Sequence, residues 1–417
     1  MKEPSINVMS VLLLIGAAQA IFLSLVLARI RKRNSVPNLF LAALLFVFSI
    51  NLIEGFRSVT YLYHKYPRFI GLEWPLTFLY GPLIYFYVKS LTQPQWRIKK
   101  RLLLFHFLPA ILMYIYLIPF FLAKPETKGH LLFLANSPNR NSSPIVEPTT
   151  IVGIIQITGY LLLSFRLLKA HSEIVRENFS SIDNVSLSWL RTLLIFCFCL
   201  LCSYTFFEIF SQFYGVYKES EYVLYLMIAV IIYVMGYKGI RQPMIFSESE
   251  IVSAPRDIAA DGRPMIAERV SVEGEARPEP EREQDKYRKS ALNGEQSEKI
   301  VERLTRLMEK ERPYLEMGLT LPMLSNMLDV SPNHLSQVIN RKLNKSFFDF
   351  VNAYRVEEAK KALVSPGTNR FSILGIAMDV GFNSKSAFYT AFKKQTGMTP
   401  SQFKELAALP EAGKTTR

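Results

Sequence analysis

The chain has 417 residues, of which 50% are apolar and 13% aromatic, and its formal net charge is +14. This length exceeds that of one ordinary domain core, and the apolar content is high for a soluble protein. The charge is unevenly divided, at about +12 over residues 1–246, −4 over 247–297 and +6 over 298–417. The composition therefore argues against a single soluble globular domain and predicts three segments of different character.

Residues 1–246 contain seven apolar stretches of about 20 residues, the length that the hydrocarbon core of a bilayer requires. They predict a bundle of seven transmembrane helices, in which internal prolines are tolerated because neighbouring helices satisfy the freed backbone groups. A buried soluble bundle is the alternative, but so many apolar stretches are hard to bury in a domain of this size. The predicted spans are 8–28, 37–57, 70–90, 102–123, 150–168, 190–212 and 221–239.

Lysine and arginine residues alternate between the two sides of this predicted bundle. They cluster at positions 29–33 after the first span, at 97–101 after the third and at 166–176 after the fifth. Because cytoplasmic loops retain most of the positive charge during insertion, these loops are predicted to be cytoplasmic. The N-terminus is then outside, and seven crossings leave the C-terminus in the cytoplasm.

Residues 247–297 combine four prolines with mixed charges and almost no large apolar residues, as in ARPEPEREQDKYRK. A segment of this composition has too little apolar surface to fold by itself, so we expect a flexible linker. A coil of about 50 residues spans on the order of 40 Å, enough to hold a tethered domain away from the membrane surface.

A first helix-turn-helix unit is predicted over residues 321–343. The letters DVS indicate its turn, and Ser331 is placed to cap a helix that has Pro332 at its first position. This recognition helix is expected over 332–342, with hydrogen-bonding side chains of the kind that read base edges on its outer face. The expected inward residues are Leu335, Val338 and Ile339, and the expected outward residues are Asn333, Ser336, Gln337, Asn340 and Arg341.

A long amphipathic helix over about 346–363 is predicted to hold this unit rigidly apart from a second one. The second unit has the sequence ILGIAMDVGFNSKSAFYTAFKKQTG, in which Gly381 permits a sharp turn and Ser384 caps the second recognition helix. Phe388 and Phe392 are expected to anchor that helix, while the lysines at its end can meet phosphates. Its expected outward residues are Lys385, Ser386, Tyr389, Thr390, Lys393 and Lys394.

Over about residues 300–405 the chain closely resembles the C-terminal DNA-binding domain of the AraC/XylS family of bacterial transcription regulators. The most specific part is IAMDVGFNSKSAFYTAFKKQTGMTPSQF, which is similar to the family pattern nearly throughout. The sequence departs from that pattern at Ser325, where alanine is usual, and at Asn344, where glycine usually ends the first recognition helix. We therefore expect Asn344 to adopt the left-handed conformation. The resemblance implies that Asn333, Ser336 and Gln337, and in the second unit Lys385, Ser386, Tyr389 and Thr390, face DNA bases.

Ionisable residues inside the predicted spans are candidates for detecting a signal, because charge within a bilayer is costly and is rarely kept without a role. The candidates are Glu54, Arg57 and Glu208. For the first two, an ion pair one helical turn apart is the structural alternative.

Catalysis and metal binding are not expected. The sequence has no phosphate-binding loop, nucleophile elbow, zinc-protease motif or dinucleotide fingerprint, so we predict no catalytic residues and no cofactor. Cys197, Cys199 and Cys202 are scattered around one helix by their spacing, so no metal site is predicted.

These patterns favour an all-α, membrane-embedded regulator in which the bundle of 1–246 senses a signal and the cytoplasmic domain of 298–417 binds promoter DNA. A transporter or membrane enzyme with a fused regulator is the alternative, although no inverted repeat supports it. A simple membrane tether is a third interpretation. The expected partners are double-stranded DNA and the lipid bilayer of a bacterial inner (cytoplasmic) membrane. RNA polymerase, a second copy in a homodimer, and an unknown small-molecule or envelope signal are further candidates.

Overall fold

The chain forms two compact units, the first from Met1–Lys169 with Leu187–Met244 and the second from Ala170–Ser186 with Ile245–Arg417. The part that the structure describes is helical, with a single isolated bridge in place of any sheet, so the predicted all-α class is confirmed. The computed structural model describes residues 6–29, 36–62, 65–93, 96, 100–124, 127–128, 148–183, 185–214, 219–241, 294–365 and 372–408.

The helices up to residue 241 follow the apolar stretches of the sequence. Helix α2 packs against α1 and α3, and α8 packs against α1, α2 and α7. The helices are α1 (Val8–Arg29), α2 (Val36–Val59), α3 (Thr77–Thr92), α4 (Lys100–Tyr116), α5 (Ile118–Leu122), α6 (Pro148–Asn178), α7 (Ser188–Tyr214) and α8 (Glu219–Arg241).

Two of the predicted spans are shorter or broken. The third begins at Thr77 rather than near residue 70, because Trp74–Leu76 forms a separate 3-10 turn around a proline. The fourth stops at Tyr116, and α5 starts anew with Pro119 in its first turn, where the missing N–H does no harm. Among the described residues, four helices are long and apolar enough to cross a membrane, namely Val8–Arg29, Val36–Val59, Thr149–Asn178 and Ser188–Phe206. Seven crossings remain a prediction.

The candidate signal residues lie in two helices of the first unit. Glu54 and Arg57 form an ion pair near the end of α2, and Arg57 also donates to the backbone carbonyls of Tyr66 (3.0 Å) and Phe69 (3.2 Å). Arg57 thereby ties the end of α2 to the turn that follows. Glu208 belongs to α7, but its side chain lies outside the described residues.

The predicted linker falls mostly on residues 242–293, which lie outside the described residues. The helices that follow begin at Gly294. They are α9 (Gly294–Lys310), a 3-10 turn (Pro313–Leu315), α10 (Leu321–Met327), α11 (Pro332–Arg341), α12 (Phe347–Val364), α13 (Ile373–Asp379), α14 (Lys385–Thr396) and α15 (Pro400–Ala408).

Side-chain caps fix where five consecutive helices of this unit begin. In each case a serine or threonine oxygen accepts a hydrogen bond from the backbone N–H three residues further on, which satisfies a donor that has no partner inside the helix. The caps are Thr320 for α10, Ser331 for α11, Ser346 for α12, Ser372 for α13 and Ser384 for α14.

Helix α12 belongs to two hydrophobic cores at once. Its first half, with Phe347, Phe350 and Val351, packs with residues of α9, α10 and α11. Its second half, with Ala359 and Leu363, packs with residues of α13 and α14. Of the stripe that apolar spacing predicts, Tyr354 is only partly buried and the other members are buried, namely Phe347, Phe350, Val351, Ala359 and Leu363. One helix therefore joins the two helix-turn-helix units.

Arg355 lies in α12 between these two cores and is fully buried. Its guanidinium donates to the backbone carbonyls of Tyr314 (2.6 Å) and Glu316 (2.7 Å) and lies 5.7 Å from the ring centroid of Phe382. Burial lowers the pKa of Arg355 to about 10, with Glu316 acting in the opposite direction, so the side chain remains charged at neutral pH.

Gly381, at the turn between α13 and α14, packs directly on this arginine. Its φ is +96°, and a Cβ built there would lie 2.5 Å from the carbonyl oxygen of Tyr314 and 2.9 Å from Nε of Arg355. The sharp turn therefore needs glycine both for its backbone conformation and for the close approach of the arginine.

Gly381→Ala is expected to lower the free energy of unfolding of the second compact unit by about 2–4 kcal/mol. The methyl group would clash with the backbone, and this adds to the strain of a positive φ. Gly397→Ala is the matched control, since its φ is +77° but a Cβ would meet nothing within 4 Å. It should cost about 1 kcal/mol. Pulse proteolysis of the full chain across a urea gradient, following a C-terminal fragment, measures both. Equal losses in the two variants would contradict the packing argument.

Candidate DNA-binding interface

The first recognition helix, α11, has the two faces that the sequence predicts. Leu335, Val338 and Ile339 are buried in the first core, while the opposite face is open to solvent. The cap residue Ser331 accepts from the backbone N–H of His334 at 3.2 Å, and Pro332 occupies the first turn. Of the predicted outward residues, Asn333 and Arg341 are exposed, and Ser336, Gln337 and Asn340 are partly exposed.

Both departures from the family pattern are accommodated locally. Ser325 is fully buried in α10, and its hydroxyl donates to the carbonyl of Pro322 at 2.9 Å, so no polar group is left unsatisfied. Asn344 has a φ of +49°, which confirms the left-handed conformation expected of it. The chain therefore turns from α11 into α12 without the usual glycine.

The second recognition helix, α14, is anchored by two phenylalanines. Phe388 and Phe392 are fully buried, with ring centroids 5.5 Å apart, as predicted. Its cap, Ser384, accepts from the backbone N–H of Ala387 at 3.1 Å. The predicted outward residues lie on the opposite face, where Lys385, Ser386, Thr390, Lys393 and Lys394 are exposed and Tyr389 is partly exposed.

The end of α14 borders a groove of about 420 Å³. Tyr389, at this groove, has two neighbours. The ammonium group of Lys385 lies 5.3 Å from the centroid of its ring, and the hydroxyl of Ser401 in α15 lies 3.1 Å from its hydroxyl. The groove combines hydroxyl groups with two ammonium groups, which suits the oxygens of a phosphate backbone. Its lining residues are Tyr389, Thr390, Lys393, Lys394 and Thr399.

One of these lysines already has an acidic partner. Lys394 forms an ion pair of 2.7 Å with Asp349, in the first turn of α12. Burial raises the pKa of Asp349, but hydrogen bonds from Lys394 and Ser346 and the charge of Arg176 outweigh it, so the pKa lies below its ordinary value. Asp349 is thus ionised at neutral pH and bridges the two halves of the domain.

A further set of contacts was not predicted from the sequence. Residues 170–186, which we call the docking segment, comprise the last turns of α6 and the loop after it, and they belong to the second unit. Glu177 accepts from the side-chain amide of Asn340 at 2.8 Å, and Asp183 accepts from the hydroxyl of Ser384. Both contacts join residues more than 160 positions apart, so no local sequence pattern signals them.

The C-terminal part of the chain is similar to known proteins. A family model described as a helix-turn-helix domain matches residues 324–405. The chain is 33% identical over 93 residues to the bifunctional transcriptional activator/DNA repair enzyme AdaA of Bacillus subtilis, covering 22% of this chain and 43% of that protein. It is 30% identical over 92 residues to the melibiose operon regulatory protein of Escherichia coli, covering 22% and 30% respectively.

Two more similarities concern shorter proteins. The probable transcription factor PqrA of Proteus vulgaris is 28% identical over 115 residues, which cover 28% of this chain and 91% of that one. Among solved structures, the C-terminal domain of AraT, a response regulator from Geobacillus stearothermophilus, has 28% identity and a TM-score of 0.24, covering 28% of this chain and 92% of that chain.

The match to AdaA and to the melibiose operon regulatory protein spans less than half the length of either relative. The helices up to residue 241 lie outside the residues matched by the family model. Residues 324–405 of this chain are therefore an AraC-type helix-turn-helix domain, of the kind carried by DNA-binding transcription regulators.

Proposed function

We propose that this protein is a membrane-embedded transcription regulator whose C-terminal domain binds promoter DNA and whose N-terminal bundle senses a signal. The observation that carries the first half is the pair of recognition helices, each with a buried apolar face and an open polar face, joined by one helix. Its relatives are named mostly for transcription regulation, which supports the same conclusion.

The outward side chains fall into two groups, one suited to reading bases and one suited to binding phosphates. Side chains with several hydrogen-bonding atoms, such as Asn333, Gln337 and Lys385, suit the edges of bases in the major groove. The ammonium groups of Lys393 and Lys394 suit phosphates, which fix the position of the protein without reading sequence. The charge of about +6 over residues 298–417 adds attraction to any duplex.

The rigidity of α12 sets the spacing between the two contacts. This helix of 18 residues is about 27 Å long and is packed into a core at both ends. Two recognition helices held by such an element are expected to enter successive major-groove segments on one face of the duplex, about 10 base pairs apart. One chain can then make both contacts.

The first unit exposes many large apolar side chains, which supports its placement in a bilayer. Large apolar side chains point outward on several of its helices, including Phe22 (64% exposed), Leu104 (61%) and Ile155 (66%). A soluble protein rarely leaves apolar surface of this extent in contact with water. This surface and the loop charges support a multi-pass inner-membrane bundle over 1–246 with the N-terminus outside, a linker over 247–297 and a cytoplasmic domain over 298–417.

The sensing role rests on ionisable groups within the bundle. Glu54 and Arg57 pair near the end of α2, where Arg57 also holds two backbone carbonyls, so a signal that breaks the pair would free the turn after α2. Glu208 in α7 is the third candidate. A small-molecule or envelope signal, RNA polymerase and a second copy of the chain are the further partners that we propose.

Gln337→Ala and Lys385→Ala are each expected to weaken binding to a selected site by about 1–3 kcal/mol and to relax the preference at one base pair. Lys393→Ala should instead weaken binding to every sequence alike. Selection from a random duplex pool, followed by titration of the full chain, measures both effects. A uniform loss in all three variants would mean that the base-reading and phosphate-binding roles are misassigned.

Footprinting of the full chain on its selected site should show two protected groove segments about 10 base pairs apart on one face. Gln337→Ala should remove protection of one segment and Lys385→Ala protection of the other. Inserting about half a helical turn of DNA between the segments should abolish the joint footprint, because α12 cannot follow the rotation. An unchanged affinity after the insertion would rule out simultaneous binding by two rigidly joined recognition helices.

A reporter that is active only in the periplasm, fused after Gln242, is expected to be silent, and a reporter active in the cytoplasm is expected to work. The reason is the odd number of crossings that the loop charges predict. Fusions in the loop after α2 supply the positive control for the outside. The opposite result at residue 242 would show that the number of crossings is even.

A further inference from the structure

The docking segment has a desolvated centre. Ser180 is 1% exposed, and both its carbonyl oxygen (3.2 Å) and its hydroxyl (3.1 Å) accept from the guanidinium of the fully buried Arg355. Its backbone N–H and its hydroxyl both donate to the carbonyl of Leu319, at 3.1 Å and 2.6 Å. A buried charge is costly without partners, so the bonds from Arg355 to Ser180 stabilise the contact between residues 170–186 and the rest of the C-terminal domain.

The loop of the docking segment is itself folded. The backbone N–H groups of Val185 and Ser186 both donate to the carbonyl of Ile182, and a ring nitrogen of the buried His171 lies 3.4 Å from the carbonyl of Val185. Phe179 adds an isolated antiparallel bridge to Thr320. The described residues of the segment are therefore held by hydrogen bonds within the loop as well as by contacts with the domain.

Two carboxylates of this segment lie at the face proposed for DNA. Glu177 binds the side chain of Asn340, a proposed base-facing residue in the last turn of α11. Asp183 binds the hydroxyl of Ser384, which is 3.1 Å from the hydroxyl of Ser386 at the start of α14. A phosphate brought to either position would meet a like charge, so the two carboxylates oppose DNA at both recognition helices.

We propose that the docking segment occupies one edge of the DNA-facing side of the C-terminal domain, at Asn340 and Ser384, and that DNA binds only after displacing it. This proposal rests on the proposed function, because it concerns the same recognition helices. Helix α6 contributes residues 148–169 to the first unit and its remaining residues to the second. A change in the bundle that moves this helix therefore moves the docking segment as well, which couples a signal to DNA binding.

The first test compares Glu177→Gln with Glu173→Gln in the full chain, reconstituted in lipid nanodiscs. Glu173 is exposed on the same helix one turn earlier, so it provides the same change of charge at a solvent-exposed position. The probe is a fluorescent duplex of about 30 base pairs, long enough for two contacts one turn apart. Glu177→Gln should raise affinity at least fivefold, at the lower end of typical coupling between sites. Glu173→Gln should change affinity less than about twofold, because an exposed charge is screened by salt.

The second test follows hydrogen exchange of the docking segment by mass spectrometry. In the wild-type chain the backbone amide of Ser180 is expected to exchange slowly without DNA, because it is bonded to Leu319, and faster once the duplex is bound. The double variant Glu177→Gln with Asp183→Asn should exchange faster even without DNA. These substitutions lie on the segment and leave both hydrophobic cores intact.

The outcomes separate the two claims. If neither the wild-type chain nor any variant binds a duplex, the proposed function fails. If they bind with equal affinity, or if exchange of the docking segment is the same with and without DNA, the regulator stands and the displacement of the segment is refuted. Higher affinity of Glu177→Gln together with faster exchange on DNA binding is the result that supports displacement.

Discussion

The C-terminal domain depends on one buried cation. The guanidinium of Arg355 lies between two hydrophobic cores and finds its acceptors in backbone carbonyls rather than in a carboxylate. Such an arrangement resists movement, because displacing one of these carbonyls removes a hydrogen bond from a desolvated charge. The same arginine requires glycine at position 381, where any Cβ would meet it. The turn before α10, the middle of α12 and the turn before α14 are therefore fixed relative to one another, which places both recognition helices on one frame.

The sequence was sufficient for local features of this domain. The starts of α11 and α14 follow from the caps Ser331 and Ser384, most of the buried stripe of α12 from apolar spacing, and the conformation of Asn344 from its place after a recognition helix. Each of these signals lies within a few residues of its effect. Arg355 was missed because a charged residue inside an amphipathic helix normally indicates the exposed face. Its partners are the carbonyls of a distant turn and Ser180, and no local pattern in the sequence indicates either of them.

The N-terminal helices and the docking segment show where sequence patterns were insufficient. Apolar length predicted where α1, α2, α6 and α7 lie, but it did not predict that prolines would shorten the third stretch and divide the fourth. The positive charges near the end of α6 were interpreted only as a signal of orientation. In the structure one of them, Arg176, pairs with Asp349 of the DNA-binding domain at 2.8 Å. Contacts across 173 positions arise from tertiary folding and leave no trace in periodicity or composition.

The polar contacts of the C-terminal domain differ in how easily a DNA phosphate can replace one of the two partners. The pair Lys394–Asp349 is 2.7 Å long but largely open to solvent, with Lys394 60% exposed, and pairs of this kind contribute about 1 kcal/mol or less. A phosphate can replace Asp349 as the partner of Lys394 at small cost. Glu177 and Asp183 likewise hold side chains at the edge of the docking segment, where water can compensate for their loss. Besides Ser180, Arg355 has the carbonyls of Tyr314 and Glu316 as acceptors, so removal of the segment would leave the guanidinium with two of its bonds. Exchangeable contacts at the edge of the segment, together with the acceptors outside the segment that remain for Arg355, would allow the domain to release the docking segment without unfolding.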